Sequence, residues 1–102
     1  MAREMVRYSF SQAVAPREIE ETLLLAVLAT ECLHGVSRVR LDASYWLDAP
    51  SRRCVVDASR AVGHTLNRLF TGLAAKEFGE DAFTVERIEG ASRPQRAEVA
   101  PC

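Results

Sequence analysis

The nine-residue stretch APREIEETL at 15–23 returns 43 residues later as ASRAVGHTL at 58–66. The two copies share four identical residues, and Ile19 is replaced by the similar Val62. In each copy an alternating run ends and a run with helical spacing begins. Two equivalent strand-to-helix junctions are typical of a fold that is built from two similar βαβ halves.

The residues around the first copy predict a strand and a helix. Residues 6–14 alternate between apolar and polar side chains, which is the pattern of a half-buried strand. Pro16 suits the first position of a helix, and the glutamates that follow it complement the positive end of the helix dipole. Gly35 stands where a helix of this spacing commonly ends.

The residues around the second copy predict two further strands and a second helix. Residues 38–48 alternate again and predict a long second strand, which a turn at 49–52 connects to a short third strand at 53–58. Ser59 is the expected N-cap of the second helix, whose apolar positions continue to Gly79.

A last strand at 82–89 completes the order βαββαβ. The predicted fold is therefore a two-layer α+β sandwich of the ferredoxin-like type, with a four-stranded antiparallel sheet and two helices on one face. Residues 1–90 are expected to form this single domain. The tail, residues 91–102, has no periodicity and is predicted to be disordered.

Charge and hydropathy argue against two classes of partner. The net charge is −1, so no general attraction to nucleic acid or to anionic membranes is expected. The predicted central strands also lack aromatic residues on which bases would stack. The longest apolar run, residues 23–29, falls far short of the ~20 residues that span a membrane.

The cysteines and the N-terminal residues predict a cytoplasmic protein. Cys32, Cys54 and Cys102 are odd in number and irregular in spacing, which fits neither a disulfide framework nor a zinc site. The first ten residues have no apolar segment of the kind found in signal peptides.

No metal or other cofactor is expected. Glu31 and His34 have the i, i+3 spacing of carboxylate-bridged metal centres, but such centres need more ligands on a facing helix. The second helix supplies only His64 and Glu77. A surface or capping role for Glu31 and His34 is the better interpretation.

The first helix carries the clearest indication of an interface. Leu24, Leu25, Leu28 and Cys32 lie outside its sheet-facing positions, so its middle is apolar nearly all round, as in helices that are buried on two sides. A homo-oligomer interface is the expected explanation; the alternative is helix packing with a few exposed leucines. Trp46, on an otherwise polar strand face, is a further interface candidate.

The second helix begins with a candidate anion site. Ser59, Arg60, Gly63 and His64 place small and basic residues where free backbone N–H groups bind phosphate or carboxylate. No glycine-rich loop precedes them, so ordinary capping is the alternative.

No catalytic motif identifies a function. The first hypothesis is a non-catalytic, homo-oligomerising module that also binds a protein partner, whose identity the sequence does not indicate. The second is a small-molecule binder or enzyme of the dimeric α+β barrel type, with Tyr45, Trp46, Arg60 and His64 in its pocket. The third is an anion- or nucleotide-sensing domain at the Ser59 junction.

Overall fold

A four-stranded antiparallel sheet and three α-helices make up the described part of the chain, residues 4–89 of the computed structural model. The strands are β1 (Glu4–Phe10), β2 (Tyr45–Asp48), β3 (Arg53–Asp57) and β4 (Phe83–Glu89). The helices are α1 (Pro16–His34), α2 (Val36–Asp42) and α3 (Ala61–Phe78), and a short 3₁₀ helix spans Glu80–Ala82. The strands lie in the order β2-β3-β1-β4. The predicted tail, residues 91–102, lies outside the described residues.

The first helix lies where the sequence predicts it, and the first strand begins earlier and ends at Phe10 rather than at residue 14. β1 buries Val6, Tyr8 and Phe10 on the face that packs against α1 and α3. Pro16 occupies the first turn of α1. At the other end Gly35 adopts a φ of 93°, a left-handed conformation that glycine adopts without a steric penalty, and its N–H donates to the carbonyl of Glu31. The prediction of an α+β fold with a four-stranded antiparallel sheet is confirmed.

The prediction of a long second strand and of only two helices is wrong. Residues 36–42 form α2, and the strand is confined to Tyr45–Asp48. Val39 is the single buried residue of α2, and its N–H donates to the carbonyl of Gly35. The Arg38 guanidinium donates to Asp42 one turn later at 2.8 Å. Because only one inward apolar side chain is needed in so short a helix, an alternating pattern fits a helical turn as well as a strand.

The core lies between the sheet and the two long helices, and an aromatic cluster forms its centre. Tyr8 and Phe70 are fully buried, with ring centroids 4.7 Å apart in an edge-on arrangement. The Tyr8 hydroxyl hydrogen-bonds with the side-chain oxygen of Asn67 and, at 2.7 Å, with the hydroxyl of Thr71. The one polar atom of Tyr8 is therefore satisfied by α3, as buried polar groups require.

Two buried acids in this core make the fold sensitive to alkaline pH. Burial raises the pKa of the Tyr8 phenol from 10.0 to about 12 and the pKa of the Cys54 thiol from 9.0 to about 12. In the unfolded chain both groups lose their protons at their ordinary pKa values. Between those values and pH 12 the unfolded state therefore binds fewer protons, and the free energy of unfolding falls as pH rises.

We expect urea denaturation midpoints that are constant from pH 7 to pH 8 and that decrease steadily from pH 8 to pH 11. The variant Cys54→Ala removes one of the two titrations and should show a shallower decrease over this range. Equal midpoints at pH 8 and pH 11 in the wild-type chain would contradict the burial of these two groups.

Candidate functional site

One side of α1 packs into the core, and the opposite side of the helix is exposed. Six positions of α1 are buried: Ile19, Thr22, Leu23, Ala26, Val27 and Thr30. Thr30 satisfies its hydroxyl by donating to the carbonyl of Ala26 at 2.8 Å. Near the end of the helix, His34 Nε2 hydrogen-bonds with the hydroxyl of Thr65 at 2.9 Å, which fixes α1 against α3.

The opposite side of α1 forms an exposed apolar stripe, which we term the outer stripe: Leu24, Leu25, Leu28 and Cys32. The first two leucines are each 54% exposed, and the third is 56% exposed. At about 100° per residue, the four positions fall within an arc of about 100° that faces away from the buried side. The helix thus has one face in the core and a second apolar face that α3 leaves more than half exposed.

Other exposed apolar residues lie outside the outer stripe. Among the described residues, the large exposed apolar side chains outside the stripe are Leu33, Val36, Leu41 and Val85. The first three lie at the end of α1 and on α2, and only Val85 lies on the sheet, in β4. The exposed apolar surface is therefore concentrated on two consecutive helices.

The sheet face that points away from the helices is less polar than predicted. Trp46 lies opposite Val55 across β2 and β3, and Val55 lies opposite Arg7 across β3 and β1. Val55 and Met5 are buried on this face, and Trp46 is half-buried. The arginines and the aspartate of α2 were expected here as strand residues, and they are absent from this face because residues 36–42 are helical.

The Ser59 junction differs from its prediction. The helix begins at Ala61, so Arg60 and not Ser59 holds the N-cap position. The Ser59 hydroxyl instead accepts the N–H of Glu4 at 2.7 Å, and its own N–H donates to Asp57 at 2.9 Å. Ser59 therefore connects the start of β1 to the end of β3.

Gly63 has a packing role at the same junction. A Cβ atom at this position would lie 1.9 Å from the backbone oxygen of Asp57, so the first turn of α3 touches β3 directly. His64 and Arg60 are exposed, and the Arg60 guanidinium lies 3.9 Å from the carboxylate of Asp42. The structure therefore gives Ser59 and Gly63 structural contacts and leaves the two basic residues at the surface.

The described residues offer no cluster of metal ligands. Within residues 4–89, no three histidine, cysteine, aspartate or glutamate side chains lie close enough together to hold a metal ion. Cys32 is an exposed free thiol and Cys54 a buried one. Burial raises the pKa of the Cys54 thiol to about 12, which moves it further from the reactive thiolate form.

One combination of helices has the length and composition of a membrane span. No single helix in residues 4–89 is both long and apolar enough to cross a bilayer. The helices α1 and α2 together have that length and composition, but they are bent by 117° where they meet.

Comparisons with known proteins supply no family. No protein-family model matches this chain, and neither a curated protein nor a solved structure matches it. The function of the chain is therefore inferred from its own surfaces.

Proposed function

We propose that this chain is a non-catalytic, homo-oligomerising protein-interaction module of the cytoplasm. The observation that carries the proposal is the outer stripe, because it presents three leucines on one helix face while the other face of that helix is buried. Contiguous exposed apolar surface of this kind marks interaction sites in proteins that are otherwise polar outside. The two free thiols in the described part of the chain fit a reducing compartment.

Burial of this face contributes a favourable term to association, against the cost of bringing two copies together. Full burial of a leucine side chain stabilises by about 1.5–3 kcal/mol relative to full exposure. Each leucine of the outer stripe has about half of that gain still available, since each is a little more than half exposed. In a symmetric contact, the leucines of both copies would contribute this stabilisation.

We infer that the fold is ferredoxin-like, with α2 inserted between the first long helix and β2. The strand order β2-β3-β1-β4 with antiparallel neighbours supports this assignment. The two halves, each a strand, a long helix and a strand, support it as well. In such a fold the helix layer and the open sheet face are separate surfaces, so the outer stripe is able to associate without covering Trp46.

The proposal is tested with the double variant Leu24→Glu/Leu28→Glu. We expect the wild-type chain to sediment as a dimer or larger assembly at micromolar concentration. The variant should sediment as a monomer with an unchanged circular dichroism spectrum, because it places charges in the apolar contact. Val85→Glu, which adds a charge at an exposed apolar residue of β4, is the matched control and should assemble as the wild type does.

Two outcomes would contradict the proposal. One is a wild-type chain that remains monomeric at all concentrations. The other is a folded double variant whose mass is that of the wild-type assembly.

A second candidate is favoured by the apolar centre of the open sheet face. Met5 and Val55 are buried there beside the half-buried Trp46, and two such faces packed together would enclose a pocket as in dimeric α+β barrels. Native mass spectrometry distinguishes this candidate, since a small molecule retained in the assembly would appear as additional mass. A ligand-free assembly that the outer-stripe variant dissociates would exclude it.

A further inference from the structure

We propose that a second copy of this chain docks on the outer stripe with its α1 antiparallel, so that Leu24 of one copy meets Leu24 of the other at a twofold axis. This inference rests on the proposed self-association and adds the orientation and the register of the contact. It also identifies the charged residues that determine both.

The charged residues on α1 are arranged symmetrically about Leu24. Arg17 precedes it by seven residues, and Glu31 follows it by seven. Seven residues are close to two helical turns, so the three side chains lie on nearly the same side of α1, with about 10 Å of helix between neighbours. A twofold axis at Leu24 therefore brings Arg17 of each copy opposite Glu31 of the other.

The Arg17 guanidinium is free to accept this partner in addition to its present contact. It lies 3.6 Å from Glu21 on the same helix, and the two side chains are 84% and 67% exposed. An exposed pair of this kind holds its partners weakly, and a guanidinium has five N–H donors. In the dimer it would lie between its own Glu21 and the partner copy's carboxylate.

The distribution of glutamates favours the antiparallel orientation. Glu18, Glu20 and Glu21 are all exposed in the first turns of α1. A parallel pair would place these carboxylates against their own copies, and like charges in contact are destabilising. An antiparallel pair moves the two acidic ends to opposite ends of the interface and also aligns the helix dipoles favourably.

The register about Leu24 is preferred to the neighbouring one about the midpoint of Leu25 and Leu28. In that alternative, Glu21 would lie directly opposite Cys32 of the other copy, on the line of contact. About Leu24 the corresponding mixed pair is Glu20 and Leu28 of the other copy, which lie about 40° to opposite sides of the line of contact, so Glu20 keeps its exposure to solvent. Burying a charge without a partner is costly. About Leu24 each end of the stripe carries an opposite-charge pair, and the chain's net charge of −1 adds little repulsion between copies.

This register predicts how far apart the native thiols of the outer stripe lie in the dimer. Cys32 lies eight residues from the axis, which is about 12 Å along each helix and about 24 Å between the two copies. Disulfides need Cα atoms within about 7 Å. The dimer should therefore resist cross-linking through Cys32.

A charge exchange tests the pairing. Arg17→Glu and Glu31→Arg should each raise the dimer dissociation constant about tenfold, because each places like charges together at both ends of the interface. The combined variant should return to within about threefold of wild type, since the opposite charges meet again. Arg68→Glu changes an exposed charge on α3, away from the stripe, and should have no comparable effect.

Disulfide trapping tests the register. In a background with Cys32→Ser and Cys102→Ser, Leu24→Cys should form a covalent dimer under mild oxidation. Leu28→Cys is the matched control, and its thiols would be about 12 Å apart along the axis and should remain reduced. A dimer that is trapped faster by Leu28→Cys, or a charge exchange without rescue, would overturn this arrangement alone. A wild-type chain that is always monomeric would overturn the proposed self-association as well.

Discussion

Replacement of Gly63 by alanine is expected to lower the free energy of unfolding by about 3 kcal/mol, the upper part of the range for overpacking. The added Cβ would lie 1.9 Å from the Asp57 oxygen, 3.0 Å from its carbonyl carbon and 3.3 Å from the Cα of Ala58. All three are backbone atoms, so no side-chain rotation relieves the contact. Either α3 or the end of β3 must move, and both contribute to the core.

Gly72→Ala is the matched control, because it makes the same change in the same helix where nothing lies within 4 Å of the new Cβ. It should stabilise by about 0.5–1 kcal/mol, since alanine is the better helix former. Urea denaturation followed by circular dichroism measures both variants. Equal stability of Gly63→Ala and Gly72→Ala would contradict the close approach of α3 to β3.

Replacement of Phe70 by alanine is the second large effect, with an expected loss of about 3–5 kcal/mol. Phe70 is fully buried, and its ring centroid lies 4.7 Å from that of Tyr8 and 6.1 Å from that of Phe10. Truncation leaves a cavity between α3 and the central strand. Because the surrounding rings belong to a strand that pairs on both sides, the site is poorly able to collapse.

Phe78→Ala provides the comparison, since it is the same truncation two turns later in α3 at a half-buried position. Phe78 contacts Phe10 edge-on with centroids 5.8 Å apart, and its loss should cost roughly half as much. Thermal and urea denaturation at pH 7 would measure both. A Phe70→Ala variant as stable as Phe78→Ala would contradict the central position of this ring.

Most of the predicted elements proved correct, including the short strand β3 and the last strand β4. The alternating residues of β1 and the helical spacing of α1 and α3 each extend over several repeats, and the ends of α1 carry proline and glycine. These patterns reflect burial against one face, which is the dominant stabilising term. Local preference and tertiary packing therefore agree at these elements.

Two predictions failed because contacts that the local pattern does not show override it. The alternating run at 38–48 predicts one long strand, but its first part is helical, because the carbonyl of Gly35 accepts the N–H of Val39 and the Val39 side chain is buried. Ser59 has the residue type of an N-cap, but its hydroxyl is taken by Glu4, which is 55 residues away in the chain. A contact between such distant residues cannot be read from local sequence.

The candidate surface residues likewise differ in whether the local sequence pattern predicts their environment. The exposed position of Leu24, Leu25 and Leu28 follows from their spacing relative to the buried residues of α1. The burial of Met5 and Val55 on the opposite sheet face does not follow from alternation, because it depends on which strands are neighbours. Gly63 is a predicted member of the anion site, which stays a prediction; the requirement of the Asp57 carbonyl for a small residue at this position does not follow from the local sequence.

The central position of β1 has a consequence for how the chain folds as it is synthesised. The partners of β1 in the sheet are distant in sequence, since Ser9 pairs with Arg53 and Phe10 pairs with Phe83. Only β2 and β3 are joined by a short connection. Because β1 is synthesised before β4, one edge of β1 presents unpaired N–H and C=O groups until β4 emerges from the ribosome, and nascent chains aggregate through such unpaired edges.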